Sequence, residues 1–560
     1  MIPRIPELGF EDELHDSLKN SKIQSPSKSA IFSSRTLMLL IMDVNVEHLW
    51  RSLSIRIAVG GVVALAVTSL MLISYRLWFH PLAKVPGPFL QRISGLPRIW
   101  QCRNGNRHIC EIEAHRKYGS VVRIGPDSLS FSTLSALQTI HAKSANVFKG
   151  DEFYGLLDGG AEGGQSIQMT QDSEAHAARR RVLDRMMPSR ERAFHIINDL
   201  AQQFQTTTWE LASGNGGLVD INKVASWYGF DVISTIAFGR SMRMLHSDEF
   251  RWLPKCLQDA SVFLYWGGFA RSLQLFRRLL GSSWPSRLRM RYVLQAQRYQ
   301  DLAERQVSVR ASRMDGEKAT GSEPDDIFGK LIKADLYSDI DLRADSSLLI
   351  AAGSDAVRFT IVATLYYWGR HADIYANVTR EIRSIVADPE HITDATLSSL
   401  KYLRACIDET MRITPPKPSS VPREVNTGAI VVDGITIPAG MTVGTSTYAL
   451  HRNPDIYPSP DKYRPERWLE RPVDPRMLAA FNPFLKGPRA CPGKMVAYLA
   501  MQAALFHLVY KYDILVKDAG NGGPMVSPGD NGSRGDEFPF HDWVIGYADG
   551  STIELRARAL

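Results

Sequence analysis

Cysteine is scarce in this chain and cannot serve as its scaffold. Five cysteines occur among 560 residues: Cys102, Cys110, Cys256, Cys406 and Cys491. Their number is odd, and no two stand at CxxC or zinc-ligand spacing, which argues against a disulfide framework and a structural zinc site. Unpaired thiols imply a reducing compartment. A strong charge bias is also missing. Lys and Arg total 66 against 59 Asp and Glu, a net charge of +7 spread along the chain. No basic stripe marks a nucleic-acid partner; the mild surplus suits an anionic membrane surface or an acidic protein. Internal repeats are absent, and no linker divides the long body. A cleavable signal peptide is not expected, because the apolar run begins beyond residue 50 and lacks a small-residue cleavage site. What remains is a composition, 44% hydrophobic and 22% charged, able to bury a large core.

The N-terminal region divides by composition. Residues 1–54 are mixed and polar, an extension in which Met42 stands close to the next segment as an alternative start. Residues 55–78 read as a transmembrane anchor: Ile57 to Ser74 carry no charge, and Tyr75 and Trp78 suit the membrane interface. A buried core helix is the alternative for such a run. Arg51 and Arg56 precede it and Arg76 and Lys84 follow, so flanking charge barely sets orientation. Residues 79–90, with HPLAKVPGP at their centre, read as a proline-stiffened hinge. Residues 91–560 form one body, mainly helical with a few short strands. Ala429 to Gly440 reads as a hairpin turning on Asp433-Gly434. Ser312–Asp325 and Asp518–Glu537 read as surface loops. Sequons at Asn377 and Asn531 lose meaning if the body faces the cytosol.

The densest chemistry lies in FLKGPRACPG, Phe484 to Gly493. Pro492 suits the first position of a helix, which would put Cys491 at that helix's N-terminus, where the dipole and free amides favour a thiolate. Gly487 and Gly493 would let a flat ligand approach the backbone. Arg489 is a cation suited to a carboxylate, and Phe484 is an aromatic wall. Together they describe a thiolate that ligates iron under a carboxylated macrocycle. One buried cysteine alone would more simply be a small core residue.

The spaced set Phe484, Gly487, Arg489, Cys491 and Gly493 resembles the haem-binding signature of the cytochrome P450 monooxygenases. Glu409 and Arg412 stand three apart on one helix face, a pair that by itself reads as a solvated ion pair. They resemble the family's ExxR pair, buried against an arginine matched here by Arg467. The resemblance makes Arg423 a ligand of one haem propionate. It makes His176 and Arg180, four apart in HAARRR, candidates for the other. YRLWFHPLAKVPGP and HAARRR look most like fungal enzymes of specialised metabolism. The likeness covers roughly residues 80–560. It implies the P450 fold: a mainly α body with small β-sheets behind a single membrane helix.

LLIAAGSDAVRFTIVATLYYWG resembles the family's oxygen-activating helix, which is locally distorted to admit dioxygen. Ala352, Gly353 and Asp355 match its motif. Ala356 stands where the family has a threonine, so the usual hydroxyl in the proton relay is missing; Thr360 lies one turn on. Ordered water or a substrate hydroxyl could take its place. Phe148–Ser166 resembles the loop between the B and C helices, and ASVFLYWGGFA would lie near the F–G region as substrate contact, membrane contact or core. The resemblance implies haem b and electrons from NADPH through cytochrome P450 reductase, with cytochrome b5 as a second donor. It implies an apolar small-molecule substrate and a single-pass endoplasmic reticulum protein with a cytosolic body. Two other readings stay open: a haem-thiolate rearrangement or dehydration without external oxygen, and a haem-binding protein without turnover.

Overall fold

Helix Asp339–Arg370 runs through the main core of the body. The computed structural model describes residues 34–154, 164–269, 291–320, 323–385, 392–518, 537–548 and 550–558. Ser338 caps the helix by accepting from the Asp341 N–H, and Asp339 and Asp341 place negative charge at its positive end. From Val357 to Trp368 every residue is buried, as in a helix enclosed by others. Small residues bring it onto helix Ile221–Phe238. A Cβ on Gly353 would lie 2.4 Å from Ile233 Cγ1, and one on Gly229 would lie 2.8 Å from the Ser354 carbonyl oxygen. The helix is continuous α over its 32 residues, so close packing, not a break, explains Gly353.

The cysteine loop feeds helix Lys494–Lys511, which packs against helix Arg190–Ser213 in the same core. Among the described residues, the largest sheet has five strands in the order Val121–Gly125, Ser128–Phe131, Thr442–Thr445, Arg423–Val425 and Val147–Phe148. The middle contact, Ser128–Phe131 with Thr442–Thr445, is parallel; the others are antiparallel. A smaller sheet joins Leu218–Asp220, Thr552–Ala557 and Tyr512–Asp518. The expected hairpin forms from Ala429–Val432 and Ile435–Pro438. Asp433 (φ 50°) and Gly434 (φ 77°) give it the left-handed turn that suits strand twist, and Thr133 and Ser135 hydroxyls donate to the Asp433 carboxylate.

Three expectations change. The segment read as a hinge is docked: Leu82 and Val85 are buried, His80 Nε2 meets Asp127 Oδ1 at 3.0 Å, and the Arg123 N–H donates to the Pro86 carbonyl. The segment turns on itself there, the Ala83 and Val85 N–H groups donating to the His80 and Leu82 carbonyls, and its prolines add no unpaired donors. The supposed loop from Ser312 is helical through Thr320, as the end of helix Arg291–Thr320. Buried Arg310 binds both Glu317 and Asp326 there, an ion network stronger than the local loop-forming composition. Asp518 ends a strand, while residues 519–536 lie outside the described residues. Asn377 sits in helix Ala372–Ile385 beside fully buried Val378, and Asn531 lies outside the described residues.

The chain divides into two compact units, Met1–Ile73 and Ser74–Leu560. Helix begins at Ser34, upstream of the expected anchor. The apolar stretch Ser54–Phe79 spans 26 residues with none of its most apolar window buried, whereas 61% of that window in the central helix is buried. That difference separates an exposed anchor from a core helix of similar composition. At about 1.5 Å per residue the stretch exceeds the roughly 30 Å of a bilayer core. The exposed apolar helix fits a membrane anchor. The full-length chain is therefore expected to stay in the membrane pellet through alkaline carbonate washing. Val63→Asp with Val67→Asp should release it, since each central aspartate costs about 2.5–3.5 kcal/mol of insertion. Equal retention of both proteins in the pellet would place the membrane attachment elsewhere.

Candidate active site

The loop around Cys491 is built by its backbone. Leu485 (φ 60°) and Gly487 (φ 70°) both adopt left-handed conformations. At Gly487 no side chain fits, because a Cβ would lie 1.9 Å from the His141 carbonyl oxygen. The Cys491 N–H then donates to the Phe484 carbonyl at 2.9 Å, closing the loop. Phe484 stacks obliquely on Tyr498, ring centres 5.1 Å apart. The helix begins later than the proline suggests: Gly493 is its N-cap and Lys494 its first residue. Pro492 is spent on the preceding turn, so Cys491 is not the helix terminus. Burial pushes its thiol up, offset in part by the Gly493 N–H, Arg180 and Lys494.

Cys491 lies deep in the molecule yet is accessible, because it opens onto a cavity of about 1200 Å³. That volume exceeds the roughly 300–1,000 Å³ of common ligand pockets and leaves room for a cofactor and a substrate together. None of the other thiols lines this cavity. Burial pushes Cys102 up to about 12 and Cys110 and Cys256 up to about 11.

The central helix, helix Ser173–Met186 and the loop after helix Lys401–Ile413 bring the remaining candidates to this cavity. His176, Arg180, Arg423, Phe484, Arg489, Asp355, Ala356 and Thr360 all line it. The four-residue spacing of His176 and Arg180 does place both on the cavity side of one helix, started by the Asp172 cap. Arg180 Nη1 donates to the Ala490 carbonyl and its Nε pairs with Asp184 at 2.7 Å. Arg489 donates to the carbonyls of Thr170 and Gln171. Arg423 Nη1 donates to the Tyr154 hydroxyl at 2.9 Å.

Two further residues complete this rim, Lys149 and Tyr154. Lys149 donates to the Gln168 carbonyl and sits over the Tyr154 ring. Sequence reading passed over them because their segment is glycine-rich and looked like a mobile loop. The five-residue spacing of Lys149 and Tyr154 in FKGDEFY carries no signal of its own.

Among the described residues the rim is short of negative charge. Burial and then Arg423 push Arg489 down to about 10, and burial followed by Arg489, Lys149, Arg180 and Arg423 pushes His176 down to about 3. Lys149 is lowered by burial and by Arg423, Arg489 and Lys417. Cations that depress one another around a cavity with a thiol in its wall fit a ligand carrying carboxylates and a metal. The residues present therefore fit haem.

On the central helix, Ala356 presents a methyl group to the cavity. The Thr360 hydroxyl donates back to the Ala356 carbonyl at 2.9 Å. Asp355 pairs with Arg358 Nε at 3.5 Å, and Arg358 in turn donates to Asn222 Oδ1 at 2.6 Å. Burial raises the Asp355 carboxyl against the pull of Arg358. The aromatic run on helix Leu253–Gly268 divides its tasks: Phe263 and Leu264 face the cavity, while Tyr265 and Phe269 pack with Phe153 in a separate buried cluster.

Behind the loop, Glu409 is wholly buried and accepts five hydrogen bonds. Two come from Arg412, and one each from Arg467 Nε, the Arg464 N–H and Trp468 Nε1. The pair that could have been a solvated surface contact is a core network.

This architecture defines a mainly helical protein with a large thiol-walled cavity along its longest core helix. The chain belongs to the cytochrome P450 family: the family model described as Cytochrome P450 matches residues 87–528, and the chain is a cytochrome P450 monooxygenase. It is 32% identical to cytochrome P450 monooxygenase fscF of Fusarium equiseti over 523 residues, covering 88% of this chain and 95% of that protein. It is 30% identical to cytochrome P450 monooxygenase poxM of Penicillium oxalicum over 528 residues, covering 89% of this chain and 95% of that protein.

Proposed function

We propose that Cys491 would ligate the iron of haem b through its thiolate in a monooxygenase of fungal secondary metabolism that oxidises an apolar small molecule. Its position in the wall of the large cavity, inside the rim of cations, carries this reading. Haem, when bound, supplies the chemistry that places one atom of dioxygen in the substrate while the other leaves as water. NADPH supplies the two electrons through a reductase, with cytochrome b5 as a second donor, and two protons enter. Anchoring by residues 54–79 in the endoplasmic reticulum, with the body in the cytosol, accords with the exposed helix and the unpaired thiols.

The chain's residues divide the remaining work. Arg423 and Arg489 would bind propionate oxygens as fixed cations, and neutral His176 would donate a hydrogen bond. The Gly493 N–H stabilises negative charge on Sγ. Ile233, Phe263, Leu264, Leu348 and Val544 would exclude water around the substrate. Proton delivery lacks a hydroxyl at position 356, and the Thr360 hydroxyl is engaged as a hydrogen-bond donor to the Ala356 carbonyl. A bound water or a substrate hydroxyl then makes the last transfer, within roughly 2.6–3.2 Å of the oxygen it serves.

The test is incubation with reductase, NADPH and candidate metabolites, with oxygen uptake measured beside product mass. Product containing one oxygen atom from dioxygen is expected; product without oxygen uptake would point to rearrangement or dehydration instead. With a substrate identified, an analogue lacking its hydroxyl should form less product per NADPH in the wild type. Ala356→Thr should raise that ratio. Equal, high coupling in the wild type with both ligands would refute substrate assistance and leave water as the donor.

A further inference from the structure

The cavity is largely apolar along the central helix and helix Leu253–Gly268. Lys417 breaks that character. It stands on the loop between helix Lys401–Ile413 and strand Arg423–Val425, and lines the cavity beside Pro416 and Val421. Among the described residues it has no carboxylate at ion-pair distance and no hydrogen-bond acceptor; its Nζ lies 5.9 Å from the centre of the Phe153 ring. An ammonium carries three donors and no acceptor, so holding it half-buried in a cavity wall without a partner is costly.

The acid that attracts it is already occupied. Asp542 accepts from the Tyr265 hydroxyl at 2.9 Å and from the Ser419 hydroxyl. Burial pushes Asp542 up to about 6. Burial, then Arg423 and, more weakly, Arg107, push Lys417 down to about 8 against the pull of Asp542, which still leaves it mostly charged at neutral pH. Among the described residues no counter-charge is left for it.

A haem propionate is the rival source. Of the other rim cations, Lys149 is depressed by Lys417 and Lys417 itself by Arg423, whereas His176 and Arg489 are not depressed by Lys417, so the lysine stands at the Lys149 and Arg423 end of the rim. Lys417 also borders a small second cavity with Tyr265, Phe269 and Val544, on the flank formed by helix Leu253–Gly268 and the hairpin His541–Tyr547. That flank supplies the apolar walls at Phe263, Leu264 and Val544.

We infer that Lys417 is the specificity-determining residue of this cavity, and that the substrate is an apolar molecule bearing an acidic oxygen, a carboxylate or enolate, which docks on its ammonium. This rests on the haem-thiolate reading above. An anion held at Lys417 would leave the apolar remainder of the substrate to lie along the central helix, so the lysine would choose both the ligand class and the carbon presented for oxidation.

The experiment uses the full-length haem-loaded protein and matched probes: decanoate against decanol, and 2-naphthoate against 2-naphthamide. Binding is read from the haem absorption shift, and haem per protein is measured separately. The wild type should bind each carboxylate about ten- to a hundredfold tighter than its neutral partner, the range for a charge-assisted hydrogen bond. Lys417→Met should erase that preference at unchanged haem content, and Lys417→Arg should retain most of it. Equal binding of both partners by the wild type would overturn the inference, as would a preference surviving in Lys417→Met. Loss of haem from Lys417→Met would also overturn it and assign the lysine to a propionate. The carbon monoxide spectrum, recorded before any probe is added, separates these outcomes from failure of the haem-thiolate reading itself.

Discussion

Cys491→Ser should give a folded protein whose reduced form lacks the red-shifted carbon monoxide band. The loop is held by a backbone bond, from the Cys491 N–H to the Phe484 carbonyl, and by the left-handed turns at Leu485 and Gly487. Serine can keep all of these. What it cannot supply is a soft, strongly donating sulfur ligand, because a serine hydroxyl remains protonated near neutral pH and binds iron weakly. The expected change is therefore complete in the spectrum and small in stability. Monooxygenase turnover should fall to background with it. The two readouts are a reduced carbon monoxide difference spectrum and thermal unfolding of the same preparation. Persistence of the band in Cys491→Ser would sink the ligand assignment, since each other cysteine is buried or half-buried and none of them lines this cavity.

Glu409→Gln should be the most damaging single change to the fold. Glu409 and Arg412 are fully buried, and Arg467 nearly so. Removing one charge from a buried network leaves its partners uncompensated, at a cost of about 3–5 kcal/mol. That is a large share of the roughly 5–15 kcal/mol that holds a typical protein folded. Glutamine would still accept some of the bonds but would leave two guanidinium groups without a counter-ion. The network is already asymmetric. Arg467 is pushed down by burial, with Arg412 adding repulsion, while Glu409 is held below the usual carboxylate range because its two arginines outweigh its own burial. One carboxylate between two cations explains both directions.

Both arginines also donate to three backbone carbonyls, but Arg412 gives Glu409 two hydrogen bonds where Arg467 gives one, and its carbonyl contacts are shorter on the whole, so Arg412→Met should cost more than Arg467→Met. Urea unfolding of the three variants gives the order. A Glu409→Gln protein as stable as the wild type would show that the network is dispensable. The pH dependence follows from the depressed acid. Its stabilisation is fully present above the ordinary carboxylate pKa and is lost as pH falls through the lower folded value.

Much of the site was legible because its signals are local. Phe484, Gly487, Arg489 and Cys491 lie within one short loop, and chemistry that needs a thiol, a cation and room for a flat ligand leaves that spacing in the sequence. Glu409 and Arg412 were readable as helix neighbours, but their burial was not: it depends on Arg464, Arg467 and Trp468, which arrive from a separate turn. The exposed anchor was readable from its uncharged run. Composition alone left a core helix as its alternative, and the exposure of the stretch fits the anchor.

The sequence by itself determined the cysteine loop, the ion-pair helix, the Asp433-Gly434 hairpin and the apolar N-terminal span, since each depends on residues within a few turns of one another. Only the tertiary structure decided what Gly353 is for, because Ile233 comes from another helix. It also turned the supposed hinge into a docked strip on the sheet, through contacts of His80 and Pro86 with Asp127 and Arg123. It carried helix past Ser312 through the Arg310 ion network. And it brought Lys149, Tyr154 and Lys417 to the cavity, where burial and the mutual repulsion of cations, neither of which has a periodicity along the chain, give those residues their chemistry.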